Sequence, residues 1–218
     1  MPPFIHKPVY KCWILLAEAL FPRKCFGCSN PGKYFCPACV DKIFRAECEK
    51  LGEIDLILSF SSYREPSVKN ALRRLKYGSA SDIALELAEM MSGRLPKTAL
   101  SGIKPLVVAV PMTDKRKRAR GFNQAELLAQ KFAEKTDFEF SPALLKARET
   151  KPQAEIKNRE ERFLNVKNAF SIAEGALLPE EIIVVDDIIT TGATMREAAR
   201  VLKSAGVQKV IALAVARG

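Results

Sequence analysis

The chain has no long apolar run. Its 218 residues contain no stretch of the roughly 18–20 apolar residues that a bilayer-spanning helix requires. The nearest approach, Cys12 to Phe21, is short and broken by Glu18. It lacks the clean apolar core and small-residue cleavage site of a signal peptide, and reads instead as an amphipathic helix packed on the protein. No membrane span is expected, and a cytoplasmic location follows as the default. Cysteine is scarce and confined: all six cysteines lie within the first 48 residues, which argues against a disulfide scaffold. The single histidine, His6, sits in a loose N-terminal segment and receives no role. Internal repeats and low-complexity segments are absent.

What remains is a soluble, basic composition. Apolar residues make up 48% and charged residues 28%, which excludes wholly disordered and collagen-like chains. Lys and Arg number 35 against 25 Asp and Glu, a formal charge of +10. That excess points to an anionic partner such as nucleic acid or phosphorylated metabolites, or simply to a basic surface.

The cysteine distribution divides the chain near Gly52, into residues 1–52 and 53–218. In the second part Pro66 opens a helix carrying Val68, Leu72 and Leu75 on one face, with Gly78 as its stop. Ile83, Leu87, Met91 and Leu95 mark a second helix. Leu106 to Val110 reads as a buried strand ended by Pro111. Asn123 to Lys135 reads as a helix whose Asn123 and Glu126 resemble a capping box. Ile182 to Val185 is a strand, Met195 to Ala205 a helix ended by Gly206, and Val210 to Val215 a strand. Strand–helix–strand order implies an α/β fold with a parallel sheet.

Two motifs carry chemistry. Cys25-Phe-Gly-Cys28 and Cys36-Pro-Ala-Cys39 are paired CxxC knuckles, which together complete a tetrahedral four-thiolate shell for structural zinc. Such a closed shell has no open position for catalysis. Cys12 and Cys48 lack CxxC partners and read as core. The second motif is Ile182-Ile-Val-Val-Asp-Asp-Ile-Ile-Thr-Thr-Gly-Ala-Thr-Met195. An apolar strand ends in two carboxylates and passes through small hydroxylated residues into a helix. Helix-start N–H groups and the hydroxyls of Thr190, Thr191 and Thr194 suit a phosphate, and Gly192 allows close backbone approach. Asp186 and Asp187 suit sugar hydroxyls, directly or through Mg²⁺. Neither a P-loop nor a dinucleotide fingerprint fits this stretch.

Residues 182–195 resemble the phosphoribosyl pyrophosphate (PRPP) loop of type I phosphoribosyltransferases. Val108-Ala-Val-Pro111, Arg120-Gly-Phe-Asn-Gln-Ala125, Lys151-Pro-Gln153, Arg162 with Asn165-Val166, and Ala169-Phe170 follow the order typical of the ComF family. Phe21-Pro22 ahead of the four cysteines is similar to that family's N-terminal module. The family's first Val-Pro is altered here to Val108-Ala109. The resemblance implies a parallel-sheet phosphoribosyltransferase-like domain with a small zinc module, and a link to DNA uptake or use of DNA as nutrient, with partners in the uptake machinery. It implies that Asp186 and Asp187 form the ribose-binding acidic pair and that Thr190, Thr191, Gly192, Ala193 and Thr194 cradle the 5′-phosphate. It further implies that Pro111 to Lys115 lies on the pyrophosphate side, and that residues 149–165 form a flap over the substrate. An enzyme of this type takes PRPP with Mg²⁺ and joins C1 of the ribose to an acceptor, which the sequence does not identify.

Lys115 to Arg120 holds five cations in six residues. Arg118 and Arg120 in this run are candidate substrate ligands, through charge developing on pyrophosphate. The run is equally suited to a nucleic-acid backbone, or to a solvated loop. Lys69, Arg73 and Lys76 form a helical stripe that reads as a solvated face. Phe26, Tyr34 and Phe35 suit either base stacking on single-stranded DNA or the core of a metal-stapled module. Two functions therefore stand: a phosphoribosyltransferase that also handles single-stranded DNA, or a non-catalytic zinc-containing DNA-binding protein that uses the PRPP pocket as a nucleotide sensor.

Overall fold

The computed structural model describes residues 23–77, 80–102 and 104–218. The expected N-terminal helix, Cys12, His6, Phe21-Pro22 and the Gly78 helix stop lie outside these residues.

Six strands form the main sheet. In chain order they are β1 (Glu47–Leu51), β2 (Ile54–Ser59), β3 (Leu106–Ala109), β4 (Glu139–Phe140), β7 (Glu181–Ile189) and β8 (Lys209–Arg217); β5 (Leu144–Lys146) and β6 (Phe170–Ile172) form a separate antiparallel pair. The sheet order is β1-β2-β8-β7-β3-β4, parallel except for the β1–β2 hairpin. The buried runs Leu106–Ala109 and Ile182–Val185 are apolar throughout because helices cover both faces of the sheet. β3 connects onward toward β4 at one edge, while β7 connects to β8 on the other side. The β3–β7 boundary is thus a topological switch point, where a crevice opens beyond the strand ends.

The longer helices are α1 (Pro37–Ile43), α2 (Pro66–Tyr77), α3 (Ala80–Ser92), α4 (Asp114–Arg120), α5 (Gln124–Thr136), α6 (Arg159–Val166) and α7 (Ala193–Ser204). Val68, Leu72 and Leu75 on α2 and Ile83, Leu87 and Met91 on α3 are buried, as their spacing requires; Leu95 falls beyond the end of α3. Among the described residues no helix is long and apolar enough to cross a membrane.

Several local expectations change. The turn at Gly52-Glu53 joins β1 to β2 as an antiparallel hairpin. The basic run forms α4 rather than a loop, capped by the Thr113 side chain, which accepts from Arg116 N, and ended by Gly121 at φ 84°. Asn123 caps α5 by accepting from Ala125 N, but Glu126 does not complete a capping box: it pairs with Lys117 Nζ at 2.8 Å. β7 runs on through Asp186-Asp187-Ile188-Ile189, so the two carboxylates lie within the strand and not beyond it.

Candidate functional site

The N-terminal cysteines form one cluster. The sulfurs of Cys25, Cys28, Cys36 and Cys39 all lie within 4.8 Å of one another. A tetrahedral ion bound at about 2.3 Å to each thiolate would set sulfurs about 3.8 Å apart, so the spacing fits a four-coordinate metal. Gly27 makes this packing possible, because a Cβ there would stand 2.8 Å from Cys39 Sγ. Burial pushes the Cys25 thiol up, but N–H groups of Cys36, Gly27 and Cys28 directed at its sulfur outweigh this and bring it down to about 6. Cys39 is pushed up to about 12 by burial and by the sulfurs around it. Cys48 is exposed on β1, outside this cluster.

The module is fastened to the α/β domain. Both carboxylate oxygens of Glu86 on α3 accept main-chain N–H bonds, from Tyr34 at 3.2 Å and Phe35 at 3.1 Å. Arg94 donates to Phe44 O at 2.9 Å. Tyr34 and Phe35 are only 4% and 2% exposed and belong to the main core, with Phe35 edge-on to Phe44 at 4.9 Å. Of the two readings for these aromatics, core filling is the one observed. Phe26 stacks on Tyr34 at 5.5 Å, and the cations over Tyr34 are Arg74 and Arg23, inside the same packing.

The second site lies at the switch point. A cleft of about 730 Å³ opens at the ends of β3 and β7 and brings together Asp186, Asp187 and residues 190–195. α7 starts here, with Gly192 as its N-cap at φ 76° and Thr191 Oγ1 accepting from Ala193 N at 3.4 Å. The left-handed backbone requires glycine, and so does the space: a Cβ at Gly192 would meet Leu51 Cδ2 at 2.5 Å. The N-terminal hairpin therefore packs directly on the threonine loop.

Six cations line the cleft (Lys76, Arg116, Arg120, Lys146, Lys151 and Arg162), against three carboxylates (Glu155, Asp186 and Asp187). That balance favours an anionic ligand. Asp186 is half-buried at the cleft wall; loss of water around its carboxyl pushes it well above the usual range, and the adjacent Asp187 charge adds to the effect. Its Oδ1 accepts from Asp187 N at 2.8 Å. Lys76 Nζ stands 3.1 Å from Asp187 Oδ2. Burial alone would lower the Lys76 pKa, but the Asp187 carboxylate more than compensates and keeps it raised. Lys76 is thus half-buried in the site and is not on a solvated face, although Lys69 and Arg73 of the same stripe are exposed.

Of the two arginines singled out in the basic run, Arg120 lines the cleft and donates to Gln124 Oε1 at 3.1 Å. Arg118 is exposed and does not line it; Arg116 does. The segment expected as a flap folds over the threonine loop. Arg162 Nη1 donates to Thr190 Oγ1 at 3.2 Å, and Gln153 Nε2 donates to Thr194 Oγ1 at 3.3 Å. Asn165 clamps the Lys151 main chain from both sides at 3.0 Å. Lys146, the last residue of β5, lines both the cleft and an adjoining cavity of about 500 Å³. Burial, with Arg116 and Arg148 nearby, lowers Lys146 to about 8.

Lys76, Arg116 and Lys146 are site residues that the sequence reading did not single out. Lys76 was visible only as the last cation of a helical stripe, and Lys146 carried no motif.

Residues 107–218 match the family model described as the phosphoribosyl transferase domain. The DNA utilization protein YhgH of Salmonella typhi is 32% identical over 158 residues, covering 71% of this chain and 68% of that protein. The competence protein ComFC of Streptococcus pneumoniae is 37% identical over 110 residues, 50% of this chain and 47% of that one. Competence protein F of Haemophilus influenzae is 32% identical over 114 residues, 51% and 49% of the two chains. The matched regions thus span about half to two thirds of these relatives' own lengths. With a parallel α/β sheet, an acidic pair and threonine loop at its switch point, and a four-cysteine cluster ahead of it, the chain belongs to the ComF family of phosphoribosyltransferase-like proteins.

Proposed function

We propose that the cleft binds PRPP with Mg²⁺ and that the protein acts in DNA uptake or utilisation, as the names of its relatives indicate for them. The observation that carries this reading is the convergence of the Asp186–Asp187 pair with a threonine loop heading a twelve-residue helix, inside a cleft with excess positive charge. The 5′-phosphate takes the N–H groups and hydroxyls of residues 190–194. The ribose hydroxyls lie over Asp186 and Asp187. The pyrophosphate points toward Pro111 and Met112, where Arg116 and Arg120 offset its charge. Breaking the C1–O bond sends the electron pair out with pyrophosphate, and an acceptor lone pair forms the new bond to C1.

Carboxylate and sugar oxygens are the hard ligands Mg²⁺ prefers, so the Asp pair with a bound ribose fits that ion. When bound there, Mg²⁺ would neutralise part of the pyrophosphate charge. Zn²⁺ is the ion we assign to Cys25, Cys28, Cys36 and Cys39, in a structural role.

Single-stranded DNA is the second ligand of this reading. Lys115 and Arg118 on α4 are exposed and lie outside the lining of the cleft. Tyr77 is 75% exposed at the end of α2, with the Arg120 guanidinium 5.9 Å from its ring centre. An exposed ring beside a cationic helix is a stacking platform along a phosphate track. This surface also supports the second function, DNA binding with PRPP as a regulatory ligand and no turnover.

The test is DNA affinity against salt for wild-type protein and for Lys115, Arg116, Lys117 and Arg118 replaced by alanine. The slope of log affinity against log salt should become shallower by up to about 3 units, since each phosphate contact contributes roughly 0.7. Tyr77→Ala should weaken binding with little change in slope. No DNA binding by wild-type protein at low salt removes the DNA component. Acceptor-dependent release of pyrophosphate from PRPP separates the enzyme from the sensor.

A further inference from the structure

We propose that Arg162, on the flap helix α6, is a direct ligand of the phosphate group held in the threonine loop, with Gln153 beside it, so that a phosphate monoester is gripped from both sides of the cleft. The inference rests on the phosphoribosyl reading of that loop and adds a residue from a different segment to it.

The Arg162 guanidinium is placed by the main chain of the flap ahead of its helix and not by a carboxylate. Its Nε donates to Ile156 O at 2.8 Å, which fixes the plane of the group. Its Nη1 reaches Thr190 Oγ1 at 3.2 Å. Among the described residues Arg162 makes no ion pair. A guanidinium satisfied only by a carbonyl and a neutral hydroxyl, in a cleft wall, has a charge that remains to be matched. Gln153 repeats the pattern one step along the loop: its Nε2 donates to Thr194 Oγ1 at 3.3 Å and to Arg162 O at 3.2 Å. The hydroxyls of Thr190 and Thr194, at the two ends of the 190–194 loop, are therefore each met by a flap donor.

A phosphate entering the loop is a far better acceptor than a threonine hydroxyl. Charge-assisted bonds from guanidinium to phosphate are shorter and about twice as strong as neutral ones. The Arg162 fork transfers from Thr190 Oγ1 to a phosphate oxygen, and the freed hydroxyl turns to donate to the same group. The flap remains closed over the ligand because its own side chains are bonded to it. This makes the flap selective for a phosphorylated sugar end: ribose without the 5-phosphate leaves the guanidinium unmatched. Pyrophosphate at the opposite end of the cleft, near Pro111, does not use Arg162.

The experiment is calorimetric titration of the full chain, with its metal bound, by ribose 5-phosphate, inorganic phosphate, inorganic pyrophosphate and PRPP. Arg162→Gln should weaken ribose 5-phosphate and PRPP by tenfold or more and leave pyrophosphate within twofold. Arg162→Lys keeps the charge but loses the Nε bond to Ile156, and should recover part of the loss. Gln153→Leu should weaken ribose 5-phosphate by a smaller factor. Unchanged ribose 5-phosphate affinity in Arg162→Gln overturns the assignment, as does an equal loss for ribose 5-phosphate and pyrophosphate, which marks general disruption of the flap. PRPP binding that survives Arg162→Gln leaves the phosphoribosyl reading standing without this residue. Inorganic phosphate binding that depends on Arg162 in a protein that ignores PRPP leaves the residue standing without that reading.

Discussion

Lys76 Nζ lies 3.1 Å from Asp187 Oδ2, so the last turn of α2 places an ammonium group against the acidic pair. The sheet puts two carboxylates next to each other in one strand, and Lys76 offsets the Asp187 charge that an anionic ligand would otherwise meet. Lys76→Met should weaken PRPP by about ten- to a hundredfold, the equivalent of roughly 1.5–3 kcal/mol for a lost bond to a charged group. In that background Asp187→Asn should cost less than it does in wild type. Additive losses in the double mutant, measured by titration, would show that the two side chains act separately.

The cysteine module should not melt on its own. Glu86 accepts from Tyr34 and Phe35, and those two side chains sit in the same core as α2 and α3. Glu86→Gln should lower stability by about 1–3 kcal/mol, and Cys36→Ser should release the metal and lower the melting temperature of the whole chain. Elemental analysis and calorimetry check both effects. A Cys36→Ser protein that loses zinc while the remaining domain melts unchanged would contradict this coupling.

Gly192 answers to two constraints, a φ of 76° and the Leu51 side chain. Gly192→Ala should cost about 1–2 kcal/mol from backbone conformation alone, and should reduce ribose 5-phosphate affinity by shifting the loop. Leu51→Ala in the same protein should restore part of the affinity by removing the clash, but not the part due to backbone strain. Thermal melts and titrations of the three variants separate the two contributions.

Lys146 gives the cleft a pH dependence. Its pKa is lowered from 10.5 to about 8, because burial and the neighbouring arginines disfavour its charge. The folded chain thus gives up this proton before the unfolded chain does, and this group's contribution to stability rises with pH from about 8 to about 10.5. Anion binding runs the other way: as Lys146 loses its charge above about 8, pyrophosphate affinity should fall, by at most about one log unit per pH unit. Lys146→Arg should flatten that profile between pH values of about 7 and 9.5. An unchanged profile would show that Lys146 does not face the bound anion.

Much of this arrangement is legible in the sequence. Strands buried on both faces announce themselves as β-branched runs, and the paired CxxC and the Asp-Asp-to-threonine stretch each carry their chemistry in contiguous residues. The parts that escape are those whose signal is tertiary. β1 is an exposed edge strand with the sequence Glu-Cys-Glu-Lys-Leu and shows no apolar alternation. Asp186 and Asp187 look like a strand end by hydropathy, yet β7 continues because β8 pairs with it as far as Ile189. The five cations between 115 and 120 hide a helix whose cap signals, Thr113 and Gly121, were present but outweighed by charge. Lys76 shares its helical spacing with the exposed Lys69 and Arg73, and only the packing of α2 against the sheet carries it to Asp187.

Whether the cleft at the β3–β7 switch point holds PRPP is decided by calorimetric titration of PRPP, with and without Mg²⁺, into wild-type protein and into the Asp186→Asn, Asp187→Asn double variant. Wild type should show one site per chain, tighter with Mg²⁺, and the double variant should lose binding while keeping its zinc and its melting temperature. No heat with wild-type protein, or equal affinity in the double variant, would contradict PRPP binding at this site.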